Sequence, residues 1–521
     1  MTENNHFDVV IVGAGHNGLV TAAYMAKTGM KVLVLESTAN VGGASSTEEF
    51  HEGFRVSTCA HLLYSLHPAI VSDLQLHNHG LTYAATNLST VALGNDGLHI
   101  TIKGDSVSGD ISTEDVNNYQ EFYARMIRFC KVLAVTLEDR PPKLMKGNLK
   151  DKLSLLKLGW NVRKLGKEDM RELLRIGAIN IYDVLEENFD NQLLKGALSL
   201  DAVLGSHTGP RSPNTVLGYL YRHVGETFGF SGPAMPAGGL GAVTDAIAAS
   251  AKSSGAEVRT DCRVEQILTE GARVTGVRLV GGDEISTSRV ISNADPKTTF
   301  ADLVGYRHLD TEFSRRVSNI RMKGNTAKLH LALDSLPSFT GLSEEDVGAR
   351  LLIAPGSDYV ELAFNHAKYR EYSRNPIVEI TIPSVHDSSL APEGKHVLSA
   401  VVQYAPHNLK EGWSEGNDQF RNLVINLIEG YAPGLKQLII SSELLTPADL
   451  EAKFGTKAGH WHHGELALDQ FLMLRPIPGM SQYSTPIDGL YLCSAGSHPG
   501  GNVTGLAGHN CAKTVIKEGI K

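Results

Sequence analysis

The chain contains no CxxC pair. Its five cysteines, Cys59, Cys130, Cys262, Cys493 and Cys511, are scattered through 521 residues. This excludes a redox-active dithiol and a zinc knuckle, and fits small buried side chains in a reducing compartment. No apolar run approaches the ~20 residues that a membrane-crossing helix needs. Only a short polar leader precedes the first strand at Phe7, so no signal peptide is expected. The expected location is cytoplasmic, at most peripheral to a membrane surface. Excess positive charge is also lacking: the formal net charge is -9, which argues against nucleic-acid binding. There is no GxSxG elbow and no HExxH pattern, so hydrolase and zinc-protease chemistry have no foothold. The neighbouring His460, His462 and His463 lack a carboxylate at helical spacing, and no metal site is expected.

Glycine, by contrast, is plentiful at 52 residues, and much of it is clustered. Phe7 to Val12 is almost continuously apolar and β-branched, as in a buried parallel strand. Gly13, Gly15 and Gly18 follow in a GxGxxG loop with His16 and Asn17 between them, then a helical pattern to Lys27. A second strand, Lys31 to Leu35, ends in Glu36. Gly13 permits the sharp turn, Gly15 lets a pyrophosphate approach the backbone, and Gly18 lets helix and strand pack closely. The helix N-terminus offers free N–H groups to phosphates, and Glu36 is placed to accept from ribose hydroxyls. Strand, loop, helix, strand and acid fall in register, which predicts a dinucleotide site.

Later segments favour FAD over NAD. Gly42, Gly43 and Ala44 supply a second loop just after the acid. The segment 234–300 reads as a return to the same domain. It has a glycine cluster at 238–241, a helix from Ala242 to Lys252 and a strand from Ala256 to Leu268 with Val264 in its middle. A turn and meander then lead to the strand 289–292, which ends at Asn293 and Ala294. Near the C-terminus, a short strand is followed by a loop with Gly496, Ser497, Gly500, Gly501, Asn502 and Val503, and then a helix from Leu506 to Lys517. A flavin needs such a closing loop because its ring lies far from the adenine end. No second strand–GxGxxG–helix unit occurs, so a built-in NAD(P)H domain is not expected.

The loops GAGHNG (13–18), PAGGLG (236–241) and SNADP (292–296), with the run 463–512, resemble the phytoene desaturase superfamily. The chain is most similar there to the mitochondrial phytoene-desaturase-like oxidoreductases. The resemblance implies a Rossmann-like FAD-binding domain of the glutathione reductase type with an inserted α+β substrate domain, and backbone near Val264 holding the adenine. It departs from the pattern at Ala44, Ser494 and Asn502, where relatives carry arginine, glycine and glycine. The implied organisation is an FAD domain built from 1–62, 234–300 and 471–521, with substrate segments at 63–233, largely helical, and 301–470, a sheet with helices.

The implied activity is hydride transfer from an apolar substrate C–H to the flavin, with reoxidation by oxygen or a quinone. Two other readings stand beside it: an amine or amino-acid oxidase on the same fold, and a non-catalytic binding relative of the Rab escort kind. His463, His498 and Arg475 are candidate polar groups near the ring. Between Arg140 and Arg175, Lys143, Lys146, Lys150, Lys152, Lys157, Arg163, Lys164 and Lys167 are interleaved with leucines and Trp160. Such a segment suits peripheral contact with an anionic membrane surface, a solvated helix face or a subunit contact. The sequence leaves the oligomeric state open.

Overall fold

A computed structural model describes residues 6–143 and 147–519. Lys146 of the basic segment lies outside the described residues. The chain begins with β1 (Val9–Val12), α1 (His16–Ala26) and β2 (Val32–Leu35). Both strands are fully buried, as their unbroken aliphatic composition requires for a sheet covered on two faces.

The first excursion, 63–233, is not purely helical. After a short helix at Pro68–Asp73 it supplies the short strands β3 (Thr90–Ala92), β4 (Ile100–Lys103) and β5 (Ser106–Gly109) ahead of its longer helices. These runs are three or four residues long and broken by turns, too short to give a readable period. The helices α2 (Thr113–Leu137), α3 (Leu149–Lys164), α4 (Gly166–Ile176), α5 (Gln192–Val203) and α6 (Thr215–His223) follow.

The chain then returns through α7 (Gly241–Ser253) to β6 (Glu257–Arg259). The expected single strand 256–268 is in fact two. Asp261 adopts a left-handed conformation, φ 52°, and the chain leaves one sheet for another. β7 (Val264–Glu270), β8 (Arg273–Leu279) and β9 (Glu284–Ser286) form an antiparallel meander, and β10 (Val290–Ser292) re-enters the first sheet. The second excursion contributes β11 (Thr326–Leu333), β12 (Arg350–Ile353), β13 (Ile377–Thr381), β14 (His396–Gln403), helix α8 (Trp413–Tyr431) and β15 (Ile439–Leu445). β16 (Leu490–Leu492) and α9 (Leu506–Glu518) close the fold.

Two sheets result. The five-stranded parallel sheet runs β6-β2-β1-β10-β16, so its strands come from three separate parts of the chain. Helix α1 packs against both α7 and α9. The eight-stranded mixed sheet runs β15-β11-β14-β13-β12-β3-β4-β5, and only β12 and β3 pair in parallel. β1 and β10, neighbours in the sheet but far apart in sequence, form a crevice at their carboxyl ends, where ligands of open α/β sheets bind. Among the described residues no helix is long and apolar enough to cross a membrane.

Candidate active site

At that crevice lies a cavity of about 1120 Å³, larger than ordinary small-molecule pockets of ~300–1,000 Å³. One end is a dinucleotide cradle. Gly13 turns the chain at φ 96° as it leaves β1, and α1 starts after Gly15 with no side-chain cap and no acid in its first turn. Its free N–H groups are therefore left for an anion. A methyl group on Gly15 would lie 2.8 Å from Asn293 Nδ2, so a side chain there would displace the Asn293 amide from the strand end. The second glycine loop is stitched onto the first: Gly42 N–H donates to Ala14 O at 2.9 Å, and Gly15 and Gly42 form a parallel bridge. Glu36 is buried at the end of β2. One carboxylate oxygen accepts from Ala14 N–H at 2.7 Å and the other from Thr38 N–H at 3.0 Å, which fixes the acid beside the cavity.

The sequence-predicted residues divide into two groups. Gly13, Gly15, His16, Asn17, Glu36, Gly42, Gly43, Ala44, Val264, Asn293, Ala294, Asn502, Val503 and His463 line the cavity. Gly18, Gly496, Ser497, Gly500, Gly501, His498 and Arg475 do not, and lie behind its wall. Gly18 packs against Gly13 O, and a methyl on Gly501 would lie 1.9 Å from His462 Nδ1. Asn502 stands in the left-handed region at φ 70°, a conformation asparagine tolerates better than most residues, so it replaces a glycine without reshaping the loop. His498 is fully buried, with Nε2 2.9 Å from Thr136 O. Arg475 is a fastener: its guanidinium donates to the carbonyls of Ala495, Glu465, Gln470, Gly464 and His462. It ties the 462–470 loop to the C-terminal loop and touches no open space.

Four nitrogens on residues of the cavity wall are buried without a partner. His462 Nδ1 abuts Gly501 and Trp461 Nε1 abuts Gly205, which leaves His16 Nε2 and His463 Nδ1 as the candidates to meet an occupant. Buried polar groups are normally satisfied, so this wall is built for a polar occupant. With the uncapped helix and the glycine cradle, the residues fit an elongated dinucleotide. Burial, and the neighbouring His463, push the His16 imidazole down to about 4; burial and Arg475 do the same to His463. Both rings are neutral at pH 7.

The other end of the cavity carries a web that the sequence reading missed. Glu379 on β13 accepts from Arg350 Nε at 2.6 Å and Arg222 Nη2 at 2.7 Å, and lies 2.9 Å from His61 Nε2. Asp201 on α5 pairs with both arginines. Burial alone would raise the Glu379 carboxyl, but Arg350 and Arg222 hold it well below the usual carboxylate range. These residues are spread from 61 to 379, and no motif joins them. Lys328 on β11 is buried with Nζ unpartnered, and burial pulls it down to about 7; it acts electrostatically on both Cys59 and His61, which line the cavity. Among the described residues, no group of three His, Cys, Asp or Glu side chains is arranged to hold a metal ion.

Comparison with known proteins agrees with this geometry. Residues 11–74 match the NAD(P)-binding Rossmann-like domain. Over 98% of its length the chain is 34% identical to the rat pyridine nucleotide-disulfide oxidoreductase domain-containing protein 2, covering 94% of that protein. It is 26% identical to the lycopene-forming phytoene desaturase of Pantoea ananas, over 96% of each chain. An oxidoreductase from Methanosarcina mazei shares the fold, with a TM-score of 0.60 at 16% identity over 98% of this chain and 99% of that one.

Proposed function

The chain belongs to the oxidoreductase family of the pyridine nucleotide-disulfide oxidoreductase domain-containing protein 2 and the phytoene desaturases, and on that premise we propose that it binds FAD and dehydrogenates a largely apolar substrate. One observation carries the reading: the glycine loops 13–18 and 42–44 and the C-terminal loop, through Ala495, Asn502 and Val503, meet at a single cavity that also holds Glu36 and Val264. Gly13, Gly15 and the start of α1 would hold the pyrophosphate, Glu36 the ribose, and the backbone near Val264 the adenine. FAD, when bound, supplies a hydride acceptor at N5.

The chain's own residues then position and desolvate. His16 and His463 present neutral imidazoles to the cavity. Leu62, Ala202, Leu204, Val401 and Leu466 give the chamber apolar surface for the substrate body. The web of Arg222, Arg350, Asp201 and Glu379 is internally neutralised, and serves to orient His61 and Tyr64 at the chamber wall. Lys328, whose amine is neutral above about pH 7, lies behind the chamber wall and acts electrostatically on His61. We assign it as the base for the proton released when the substrate loses its second hydrogen.

With only one dinucleotide loop, the flavin-loaded protein should not be bleached by NADPH in an anaerobic stopped-flow experiment, whereas the candidate substrate should bleach it. Fast bleaching by NADPH alone overturns the oxygen- or quinone-coupled dehydrogenase reading.

A further inference from the structure

Helix α3 is where the fold leaves most apolar surface bare. Leu149, Leu153, Leu156 and Trp160 are 73%, 55%, 69% and 58% exposed. They recur at intervals of four, three and four residues. At 3.6 residues per turn their side chains fall within about 60° of one another, a single narrow stripe. They are four of the thirteen large apolar side chains left exposed among the described residues, and no comparable helical stripe occurs elsewhere.

The stripe has charged borders. On the same helical wheel, Lys150, Lys157 and Lys164 line one edge, and Lys152 and Arg163 the other. None of the five takes part in an ion pair among the described residues. The single acid of the helix, Asp151, is turned to the opposite face, where it is buried, caps the helix through Asn148 and accepts from Gln482 Nε2 at 3.1 Å. Of the three acids of neighbouring α4, Asp169 pairs with Arg125 and Arg128 and Glu172 with Arg175, while the exposed Glu168 pairs with none of the described cations of α3. The cations of α3 are thus uncompensated on a protein whose net charge is -9.

We propose that α3 docks on an anionic phospholipid surface, lying in the plane of the interface. The leucine stripe and Trp160 enter the boundary between headgroups and acyl chains, where tryptophan is favoured. The two rows of cations lie at the depth of the headgroup phosphates, with their methylene stems along the apolar surface. A second copy of this chain fits the stripe poorly, because two such faces would bring ten cations together with no acid between them. The proposal does not depend on the cofactor or on the reaction.

The test uses the full-length protein and sedimentation with phosphatidylcholine vesicles, with and without about one third phosphatidylglycerol. The protein should partition onto the anionic vesicles at low salt, leave them at high salt, and ignore pure phosphatidylcholine. K152E/K157E and L153D/W160D should each lower the partition coefficient by about tenfold or more. All four side chains are exposed, so the variants should keep the wild-type circular dichroism and melting temperature. Wild-type protein that stays in the supernatant of anionic vesicles at low salt would overturn the proposal. So would binding that both variants retain, or a dimer in ultracentrifugation that L153D/W160D disperses in a protein without vesicle affinity.

Discussion

Lys328 is the residue whose position is hardest to explain by packing alone. It points into the sheet from β11 with no acceptor for its ammonium group, and burial brings it to about 7 from the ordinary 10.5. The unfolded chain binds a proton at this site between pH 7 and 10.5 that the folded chain does not, so the site costs stability at neutral pH, and the cost shrinks as pH rises. The Lys328→Met variant should therefore be more stable than the wild type at pH 7, by about 1–3 kcal/mol in urea denaturation. The wild type should show turnover rising through about pH 7, and the variant should lose that rise. A destabilised variant with an unchanged pH profile would remove Lys328 from the reaction. Nothing in the sequence marks this lysine, which stands in a strand pattern where an inward cation is unexpected. The same holds for His61, Asp201, Arg222, Arg350 and Glu379: their ion pairs span from 21 to 318 positions and follow no local spacing that could be read. The glycines were legible because a turn or close approach imposes glycine locally, whatever the rest of the chain does.

Among the elements, β1 and β2 were readable because each is short, apolar and closed by a glycine or an acid at its carboxyl end, whereas the polar β6 was merged with the strand that follows it. The strands β3 to β5 were not readable, since their pairing with β12 is a long-range event in a stretch dominated by helices. The C-terminal loop shows a further division. Its outline was visible, but Gly496, Gly500 and Gly501 accommodate neighbouring side chains and backbone, leaving Asn502 and Val503 at the cavity. Arg475 holds that arrangement through carbonyls on two segments. Arg475→Ala would leave these buried carbonyls unpaired and should destabilise the fold by at least about 3 kcal/mol. Arg475→Lys should recover part of the stability, yet its single point charge cannot span both segments, so release of the bound cofactor should remain faster than in the wild type. Cofactor release at the wild-type rate in Arg475→Lys would show that the fastening does not reach the cavity.

For the whole molecule, buried histidines dominate the response to acid. His16, His61, His463 and His498 are each pushed down to about 4, first by burial. As pH falls from 6.5 to 4, the unfolded chain takes up protons that the fold excludes, and each histidine removes up to about 3 kcal/mol. On the alkaline side two groups oppose one another. Burial disfavours the charged form of His223, but its bonds to Asp201 and Glu226 raise it to about 9, so its contribution is present below pH 6.5 and lost as pH rises through 9. Lys328 gains over an overlapping range. The urea midpoint should therefore fall steeply between pH 6.5 and 4 and change little between pH 7 and 9. A flat acid limb would contradict the neutral, buried state assigned to these rings.

The central claim is that three distant glycine loops and Glu36 build one FAD site. Its most direct test is the near-ultraviolet and visible absorption spectrum of the purified protein, followed by denaturation and identification of the released cofactor by mass. The account predicts flavin bands and released FAD, either as purified or after incubation with FAD. A colourless protein that also takes up no added FAD would contradict it.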